Sequence, residues 1–370
     1  GTQATTAAEN MSVFVPHFQR VFNNHRTVDL EYANHIPQRC TLWELNDPIT
    51  WNEITRAVSK LKNAKAPGLT GVPPEAFKAM STANLCHVFN HCNDFFLGIT
   101  DHEQWHRSQC VPIPKSGDLS DPNKWRGVML MDVCSKIFSS VMNGRAFRLL
   151  NKNGTRFQFG GTPELGCQDG LFVLKTMLTM RKNHNLQSYV AFVNLVKAYD
   201  TANHNILLDI LERYGAPPRF IAAVARTYQD LIVVLKIEKE VVELSQTVGV
   251  GQGDNMAPVL FLFLMSAFAE TLEVAWKEAG IDVCTVRSVT GTRLTAGNGK
   301  IGGHSPKEYL AHDLTAVEIF QCLYVDDGAF IFSSRDNLIR GIGLVHHYFA
   351  RLGLEMHIGR GTTPSKTECV

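Results

Sequence analysis

The segment Ile319–Ser333, with the sequence IFQCLYVDDGAFIFS, limits the possible folds of this chain more than any other. Two apolar runs flank a central Asp326-Asp327-Gly328, and an Asp-Gly pair between apolar runs is a strong signal for a β-hairpin. Adjacent ionised carboxylates repel each other, so a rigid site that holds two of them usually supplies a cation. The segment therefore predicts an antiparallel hairpin with a metal-binding tip; an ordinary solvent-exposed turn is the alternative.

A second β-rich run, SYVAFVNL (Ser188–Leu195), ends near Asn194. If the hairpin binds metal ions for phosphoryl transfer, a carboxylate at the end of another strand is expected to join it. Asn194 stands at the natural position for that carboxylate and offers a neutral amide oxygen instead. Asp200 follows six residues later. An extended run would place it about 20 Å away, so we interpret Asp200 as a structural residue near the next helix.

The remaining patterns predict a mixed α+β fold. Thr50–Lys62 has the helical period and begins with a capping box. Apolar ends around polar centres predict hairpins over Val111–Leu130 and Leu231–Val250. Residues 1–45 show no strong periodicity, so we interpret them as a lead-in or linker.

The composition, with 45% hydrophobic and 19% charged residues, excludes a disordered chain. The longest apolar run, Met256–Phe268, is shorter than the ~18 residues that span a bilayer, and it contains Pro258. We interpret this run as a buried core helix and expect no membrane partner. Nine cysteines without a C-x-x-C pair are typical of a reduced intracellular protein.

The net charge of +1 gives no support for nucleic-acid binding, for which a basic protein is expected. The local charge does give support. Between His106 and Arg156, nine Lys and Arg residues stand against three Asp residues. An ordinary solvated surface is the alternative explanation of this basic segment.

Several segments, in the family's order, resemble motifs of reverse transcriptases from non-LTR (LINE-type) retroelements. FVNLVKAYDTANH (Phe192–His204) resembles their F-x-D-x-x-K-A-F-D entry, and LYVDDG (Leu323–Gly328) resembles their Y-x-D-D hairpin. NAKAPGLTGVPPEAFK resembles their K-A-P-G-x-D-G-I-P motif, and VPIPKSGDLSDPNKWRGVML resembles their fingers hairpin. QFGGTPELGCQDGL resembles their Q-F-G-F motif, and VGVGQGDNMAPVLF resembles their G-x-x-Q-G-x-x-x-S-P-x-L-F element. The matches cover about residue 50 to the end, and together they are highly specific.

The resemblance implies a right-hand polymerase fold with fingers and palm and without a thumb. Residues 1–45 would be the lead-in, 46–188 the fingers and 189–370 the palm, with 287–315 as an exposed insertion. An RNA-directed DNA polymerase of this kind uses two Mg²⁺ ions, an RNA template, a DNA primer and dNTPs. The chain is expected to be a fragment that lacks the endonuclease and thumb segments of the full-length protein. Intracellular action is expected, and nuclear action is implied by the family alone.

By position in these motifs, Asp326 should be a metal ligand, with Asp327 beside it as a secondary ligand or an electrostatic partner. Asn194 occupies the other metal-ligand position, and the backbone carbonyl of Leu195 would complete the ligand shell. An Asn in place of Asp removes one negative charge from between two divalent cations. Because metal stabilisation contributes several kcal/mol, losing most of it implies a rate about a thousandfold lower.

Other residues match nucleotide-binding positions of the family. Lys115 and Arg126, on the fingers hairpin, would hold the triphosphate, whose charge their cations offset. Tyr199 matches the aromatic residue that blocks a ribose 2′-hydroxyl, with a core aromatic residue as the alternative. Gln252, between two glycines, would lie close to the incoming nucleotide. Outside this nucleotide-binding set, the segment from LGLEMH to SKTECV resembles the family's last palm helix and the start of its K-T turn, and Lys366 matches the lysine of that motif.

The chain departs from the family pattern at several positions. Gly127 stands where Pro is common, Thr70 where an acidic residue is usual, Gly161 where a second aromatic residue is usual, and Ala257 where Ser is usual. These changes weaken the expected template contacts more than the expected fold. Two alternatives to a LINE-type reverse transcriptase stay open: a catalytically inactive nucleic-acid-binding remnant, and a palm polymerase of the group II intron maturase type.

Overall fold

The computed structural model describes residues 6–155, 157–251, 253–282, 284–289, 314–319, 321–359 and 364–370, and it confirms an α+β fold. The predicted insertion at 287–315 lies largely outside the described residues. The helices are α1 (Ala7–Phe22), α2 (Trp51–Ser59), α3 (Pro74–Lys78), α4 (Thr82–Leu97), α5 (Val133–Asn153), α6 (Cys167–Asn183), α7 (Ala198–Thr201), α8 (His204–Arg213), α9 (Pro218–Thr227), α10 (Ala257–Glu278) and α11 (Arg335–Arg351). The strands are β1 (Arg107–Pro114), β2 (Trp125–Leu130), β3 (Tyr189–Val193), β4 (Leu231–Ile237), β5 (Glu240–Gln246), β6 (Cys284–Val289), β7 (Leu314–Ile319), β8 (Gln321–Tyr324), β9 (Asp327–Phe332) and β10 (Glu368–Cys369).

Two compact units divide the chain. Unit 1 comprises Gly1–Arg156, Leu195–Thr271 and Tyr348–Glu355, and unit 2 comprises Phe157–Asn194, Leu272–His347 and Met356–Val370. Each unit combines separated stretches of sequence. The candidate site residues fall into both: unit 1 contains Lys115, Arg126, Leu195 and Tyr199, and unit 2 contains Asn194, Asp326 and Asp327.

Unit 1 contains a four-stranded sheet in the order β2-β1-β4-β5. β1 and β2 form the first predicted hairpin, with Ile113 opposite Arg126. β4 and β5 form the second, with Leu235 opposite Val242. β1 and β4 run parallel, which joins the two hairpins into one sheet. Both hairpin predictions are confirmed.

Helix α1 packs on this sheet, and the interpretation of residues 1–45 as a lead-in or linker missed it. Its buried side chains Met11, Phe14, Phe18 and Phe22 recur at intervals of three and four residues, which places them on one face of the helix. They pack against buried residues from all four strands: Cys110, Met129, Val233, Leu235 and Leu244. Because this cluster is a hydrophobic core, residues 7–22 belong to the folded structure of unit 1.

Two departures from the family pattern have a local explanation. Gly127 on β2 lies close to α1: a Cβ atom there would be 2.8 Å from Phe18 Cε1 and 2.9 Å from Cys110 Sγ. Thr70 donates from its backbone N–H and its hydroxyl to Asp132 Oδ1, at 3.0 Å and 2.8 Å. The hydroxyl of Thr70 donates to Asp132, whereas an acidic side chain at position 70 would repel the Asp132 carboxylate.

Unit 2 contains an antiparallel sheet in the order β10-β3-β9-β8. β8 and β9 form the predicted hairpin, with Tyr324 opposite Asp327. β3 pairs with β9 so that Val193 lies opposite Gly328. This register brings the end of β3, which Asn194 follows, to the hairpin tip.

Helix α10 confirms the prediction of a buried core helix. Every side chain from Val259 to Ala269 is buried. Within the part of the chain that the structure describes, α10 is the one helix long and apolar enough to cross a membrane, and 83% of its most apolar stretch is buried inside the protein. Its apolar character is therefore explained by packing.

Candidate active site

The β8–β9 hairpin closes through a two-residue turn formed by Val325 and Asp326, between the paired residues Tyr324 and Asp327. Val325 has a φ of 59°, in the left-handed region. A β-branched residue is unusual there because its Cβ crowds the following carbonyl oxygen. Contacts from outside the hairpin must therefore hold this turn.

Gln158 supplies those contacts. Its side chain is 3% exposed, and its Oε1 accepts hydrogen bonds from Val325 N–H at 2.8 Å and from Gly160 N–H at 3.0 Å. Its Nε2 donates to the Val325 carbonyl at 3.2 Å. The next residue, Phe159, donates from its N–H to the Leu323 carbonyl at 2.9 Å. No role could be assigned to Gln158 from sequence, since its partner lies 167 positions away.

Asn194 and Asp327 meet at the hairpin tip, next to Asp326. Nδ2 of Asn194 donates a hydrogen bond to Asp327 Oδ1 at 3.1 Å. Asp327 is exposed, whereas Asp326 and Asn194 are half-buried. The structure thus brings together the two strand ends whose residues the sequence assigns to metal binding.

A cavity of about 370 Å³ opens beside these residues in unit 2. Asn194 and Asp327 line it together with Lys366 and with apolar side chains from α6, β3 and β8. Two of the lining rings, Phe192 and Tyr324, are 41% and 43% exposed. Exposed aromatic rings beside one carboxylate and one lysine suit a ligand with flat and charged parts.

In unit 1, Lys115 and Arg126 lie at the β1–β2 hairpin. The N–H of Lys115 donates to the Lys124 carbonyl at 2.7 Å, just beyond the paired strands. Both side chains line a small cleft together with His17 of α1 and with Lys197. The structure therefore brings Lys115 and Arg126 together, and it adds two groups that the sequence did not assign to this site.

Basic side chains outnumber acidic ones in this cleft, which Lys115, Arg126 and Lys197 line together with one carboxylate, Asp200. Burial, followed by the charge of Lys197 and other cations, lowers the pKa of His17 to about 4. Burial also lowers the pKa of Lys197, whose Nζ donates to Asn123 Oδ1 at 3.3 Å, and the charge of Asp200 opposes that shift. Because several cations share one cleft, an anion bound there would be stabilised.

Comparison with known proteins identifies the family. Residues 113–360 match the family model described as reverse transcriptase (RNA-dependent DNA polymerase). The chain belongs to the reverse transcriptase family. Its relatives are retrotransposon proteins of the R2, R1 and TX1 types, which confirms the LINE-type resemblance of the motifs.

Three relatives of this reverse transcriptase domain are much longer than the region that matches it. It is 25% identical over 226 residues to the Retrovirus-related Pol polyprotein from type-2 retrotransposable element R2DM of Drosophila melanogaster, covering 60% of this chain and 21% of that protein. It is 24% identical over 259 residues to the corresponding polyprotein of the type-1 retrotransposable element R2 of Bradysia coprophila, covering 70% and 28%. It is 24% identical over 225 residues to the transposon TX1 149 kDa protein of Xenopus laevis, covering 60% and 17%. The chain therefore spans less than a third of the length of each.

Two other predicted site residues of the reverse transcriptase domain, Tyr199 and Leu195, are described by the structure. Tyr199 is half-buried, and its ring stacks on Phe261 of α10 with centroids 4.7 Å apart. This stacking fixes the ring, and it is compatible with both a core role and a nucleotide-selecting role. The side chain of Leu195 is buried. Gln252 lies outside the described residues.

The basic segment of the reverse transcriptase domain is partly neutralised by ion pairs. Arg145 on α5 is buried and binds both carboxylate oxygens of Glu53, at 2.7 Å and 2.8 Å. Arg148 pairs with Glu44. These arginines stabilise the fold, so the local excess of positive charge overstates the cationic surface available to nucleic acid.

The family implies divalent metal ions, and the hairpin tip supplies suitable donors. Carboxylate oxygens such as those of Asp326 and Asp327 are the ligands that Mg²⁺ prefers. Across the described ranges, no group of three or more His, Cys, Asp or Glu side chains is clustered for metal binding. The third position holds Asn194, whose Nδ2 contacts Asp327. The two carboxylates have the right chemistry for a divalent cation, and an amide stands at the position where a third carboxylate is expected.

Proposed function

We propose that this reverse transcriptase domain is built for two-metal DNA synthesis on an RNA template and that Asn194 impairs the reaction. The hydrogen bond of 3.1 Å between Asn194 and Asp327 carries the proposal. It shows a neutral amide at the end of β3, in contact with one of the two carboxylates at the hairpin tip. By resemblance, that position belongs to a metal-binding Asp.

Asp326 and Asp327 would hold the divalent cation at the tip, and the carbonyl of Leu195 would be a further ligand. Bound Mg²⁺ supplies charge neutralisation for the transferring phosphoryl group. Asn194 offers an amide oxygen as a weak donor, and its Nδ2 is already bonded to Asp327. The domain therefore keeps part of its cation site and lacks one negative charge.

The triphosphate of the incoming dNTP is assigned to the cleft at the β1–β2 hairpin. Lys115, Arg126 and Lys197 line this cleft. Charge-assisted hydrogen bonds from Lys and Arg to phosphate oxygens are stronger than neutral ones. Burial is the main cause of the lowered pKa of His17, and the charges of Lys197 and Lys115 add to it. A bound anion would relieve the repulsion among these cations.

Tyr199 is proposed to exclude a ribose 2′-hydroxyl, since its ring cannot move aside without losing its stacking on Phe261. Gln252 is proposed to lie near the nucleotide. In unit 2, the exposed rings of Phe192 and Tyr324 suit the sugar and base of a primer terminus. The proposed partners are therefore an RNA template, a DNA primer and dNTPs.

Residues 46–188 are proposed as fingers and 189–370 as palm, with 287–315 as an insertion. The cationic β1–β2 hairpin supports the fingers role, and the antiparallel sheet that carries the hairpin tip supports the palm role. Because the relatives are more than three times longer than the matched region, endonuclease and thumb segments are proposed for the full-length protein. Intracellular, nuclear action is proposed from the family.

A nucleic-acid-binding domain without catalysis is the second candidate. The observation that favours it is the same amide at position 194, combined with retained cations at Lys115 and Arg126. A palm polymerase of the maturase type has less support, because the relatives named above are retrotransposon proteins.

Primer extension on an RNA template with Mg²⁺ and dNTPs tests the proposal. Asn194→Asp should extend the primer, and Asp326→Asn introduced into that variant should abolish extension while template binding is unchanged. If the natural chain and Asn194→Asp both bind template and neither extends the primer, the polymerase proposal is wrong and the binding-domain candidate stands.

A further inference from the structure

The turn that carries Asp326 has an unfavourable backbone conformation at Val325. Its φ of 59° is rarely adopted by any residue except Gly, Asn or Asp, and a β-branched side chain makes it less favourable still. Left to itself, a turn with Val at this position would relax toward another conformation. That relaxation would rotate the peptide between Val325 and Asp326, and the Asp326 side chain would move with it.

The side-chain amide of Gln158 opposes this relaxation from both sides. It accepts from the Val325 N–H at 2.8 Å and donates to the Val325 carbonyl at 3.2 Å. These two bonds fix the peptide planes before and after Val325. A buried side chain must both accept and donate to do this, which an amide does and a carboxylate or an aliphatic chain does not.

The backbone next to Gln158 is placed for the same contact. Gly160 donates to Gln158 Oε1 at 3.0 Å, which orients the amide. A Cβ atom on Gly160 would lie 2.6 Å from the Val325 nitrogen, so only glycine allows this approach. The Leu323 N–H donates to the Phe157 carbonyl at 2.8 Å, which ties the whole segment to β8.

We propose that Gln158 is a positioning residue for the carboxylate pair: it holds Val325 in the left-handed conformation and thereby fixes where Asp326 is presented. It does not touch substrate or metal. This inference rests on the proposed function, because its catalytic consequence requires that Asp326 takes part in nucleotidyl transfer.

The test is a double-mutant cycle between positions 158 and 325 in the Asn194→Asp chain. Gln158→Met keeps the length of the side chain and removes the hydrogen bonds. It should lower kcat about tenfold, equivalent to about 1.4 kcal/mol, with the KM for dNTP and the template affinity unchanged. Val325→Gly removes the steric cost of a positive φ, so in its presence Gln158→Met should lower kcat by less than about threefold. Gln168→Met, at an exposed glutamine on α6, is the matched control and should change nothing.

Amide hydrogen exchange gives a readout that does not depend on activity. In the natural chain, Gln158→Met should speed exchange at the Val325 N–H, and Gln168→Met should not. Gln158→Glu, which keeps the accepting oxygens and loses the donor, should have an intermediate effect and serves if the Met variant does not fold. Unchanged exchange at Val325 would overturn the proposal, as would faster exchange with an unaffected kcat. If no variant extends primers, the proposed function fails, and accelerated exchange at Val325 still supports the holding role of Gln158.

Discussion

Replacing Asn194 by Asp should destabilise the protein when divalent cations are absent and should make its stability depend on them. In the natural chain, Asn194 Nδ2 donates to Asp327 Oδ1 at 3.1 Å. In the variant, the same two positions carry carboxylates, and Asp326 adds a third negative charge next to them. The contact therefore changes from attraction to repulsion.

The size of the effect follows from two contributions. The lost hydrogen bond contributes about 1 kcal/mol. Two unit charges about 4 Å apart repel by about 1 kcal/mol in water and by about 4 kcal/mol at the effective dielectric constant of a protein surface. Because Asp327 is exposed, the aqueous end of this range applies, so the free energy of unfolding should fall by about 2 kcal/mol. Mg²⁺ at about 100 times its Kd should add back about 2.7 kcal/mol if it binds the folded state alone.

Chemical denaturation in EDTA and in Mg²⁺ measures both effects. Asn194→Ala is the matched control, because it loses the same hydrogen bond and adds no charge. It should be less stable than the natural chain by about 1 kcal/mol in either buffer. If the Asp and Ala variants are equally stable in EDTA and Mg²⁺ raises the stability of neither, position 194 does not face a cation site and the assignment is refuted.

Three further predictions concern unit 1. Glu53→Gln should lower the free energy of unfolding, measured by chemical denaturation, by about 3 kcal/mol. The variant leaves the buried Arg145 without a carboxylate partner, whereas a glutamine still keeps the capping box of α2. A loss below about 1 kcal/mol would contradict this prediction. Lys115→Ala should weaken dNTP binding about tenfold in a fluorescence titration. The control Arg148→Ala removes a cation that is already paired with Glu44 and should leave dNTP binding unchanged. Equal losses of affinity in both variants would contradict the assignment of the triphosphate to the cleft. His17→Gln should flatten the stability of the protein between pH 6.5 and 4: the folded-state pKa of about 4 lies below the ordinary 6.5, so the unfolded chain binds the proton first and stability is lost as pH falls. Thermal unfolding at a series of pH values measures this change of stability with pH. The same pH dependence in His17→Gln as in the natural chain would refute the assignment of the stability loss to His17.

Local signals predicted the hairpin tip well. The Asp-Asp-Gly segment between apolar runs predicted the hairpin, although the turn is Val325-Asp326 and the Asp327-Gly328 pair lies in β9. The β-rich run before Asn194 predicted the neighbouring strand β3. That Asn194 belongs near the hairpin carboxylates was expected from the need for a partner carboxylate and from the family resemblance. The hydrogen bond from Asn194 to Asp327 itself is seen only in the structure.

Helix α1 was missed although the sequence contains its signals. Thr6 and Glu9 have capping-box spacing, and Met11 through Phe22 repeat at helical intervals. Proline disfavours a helix interior, but α1 continues through Pro16, and its apolar face is buried against the sheet. With α1 missed, His17 could not be assigned to the cleft.

The conformation of Val325 could not be predicted from local sequence at all. Its β-branched side chain disfavours a positive φ, and the hydrogen bonds that maintain it come from Gln158, 167 residues earlier. Tertiary contacts of this kind override local preference, and pattern-based prediction has no access to them. Such departures are expected where a functional group must be presented in one geometry.

The most direct test of the central claim is the single-turnover rate at which one dNTP is added to a primer on an RNA template. The natural chain and Asn194→Asp would be compared at saturating Mg²⁺, with template affinity measured for both. We expect the Asp variant to be faster by about a thousandfold at equal template affinity. Rates within about tenfold of each other would contradict the claim that residue 194 limits the chemistry of this reverse transcriptase domain.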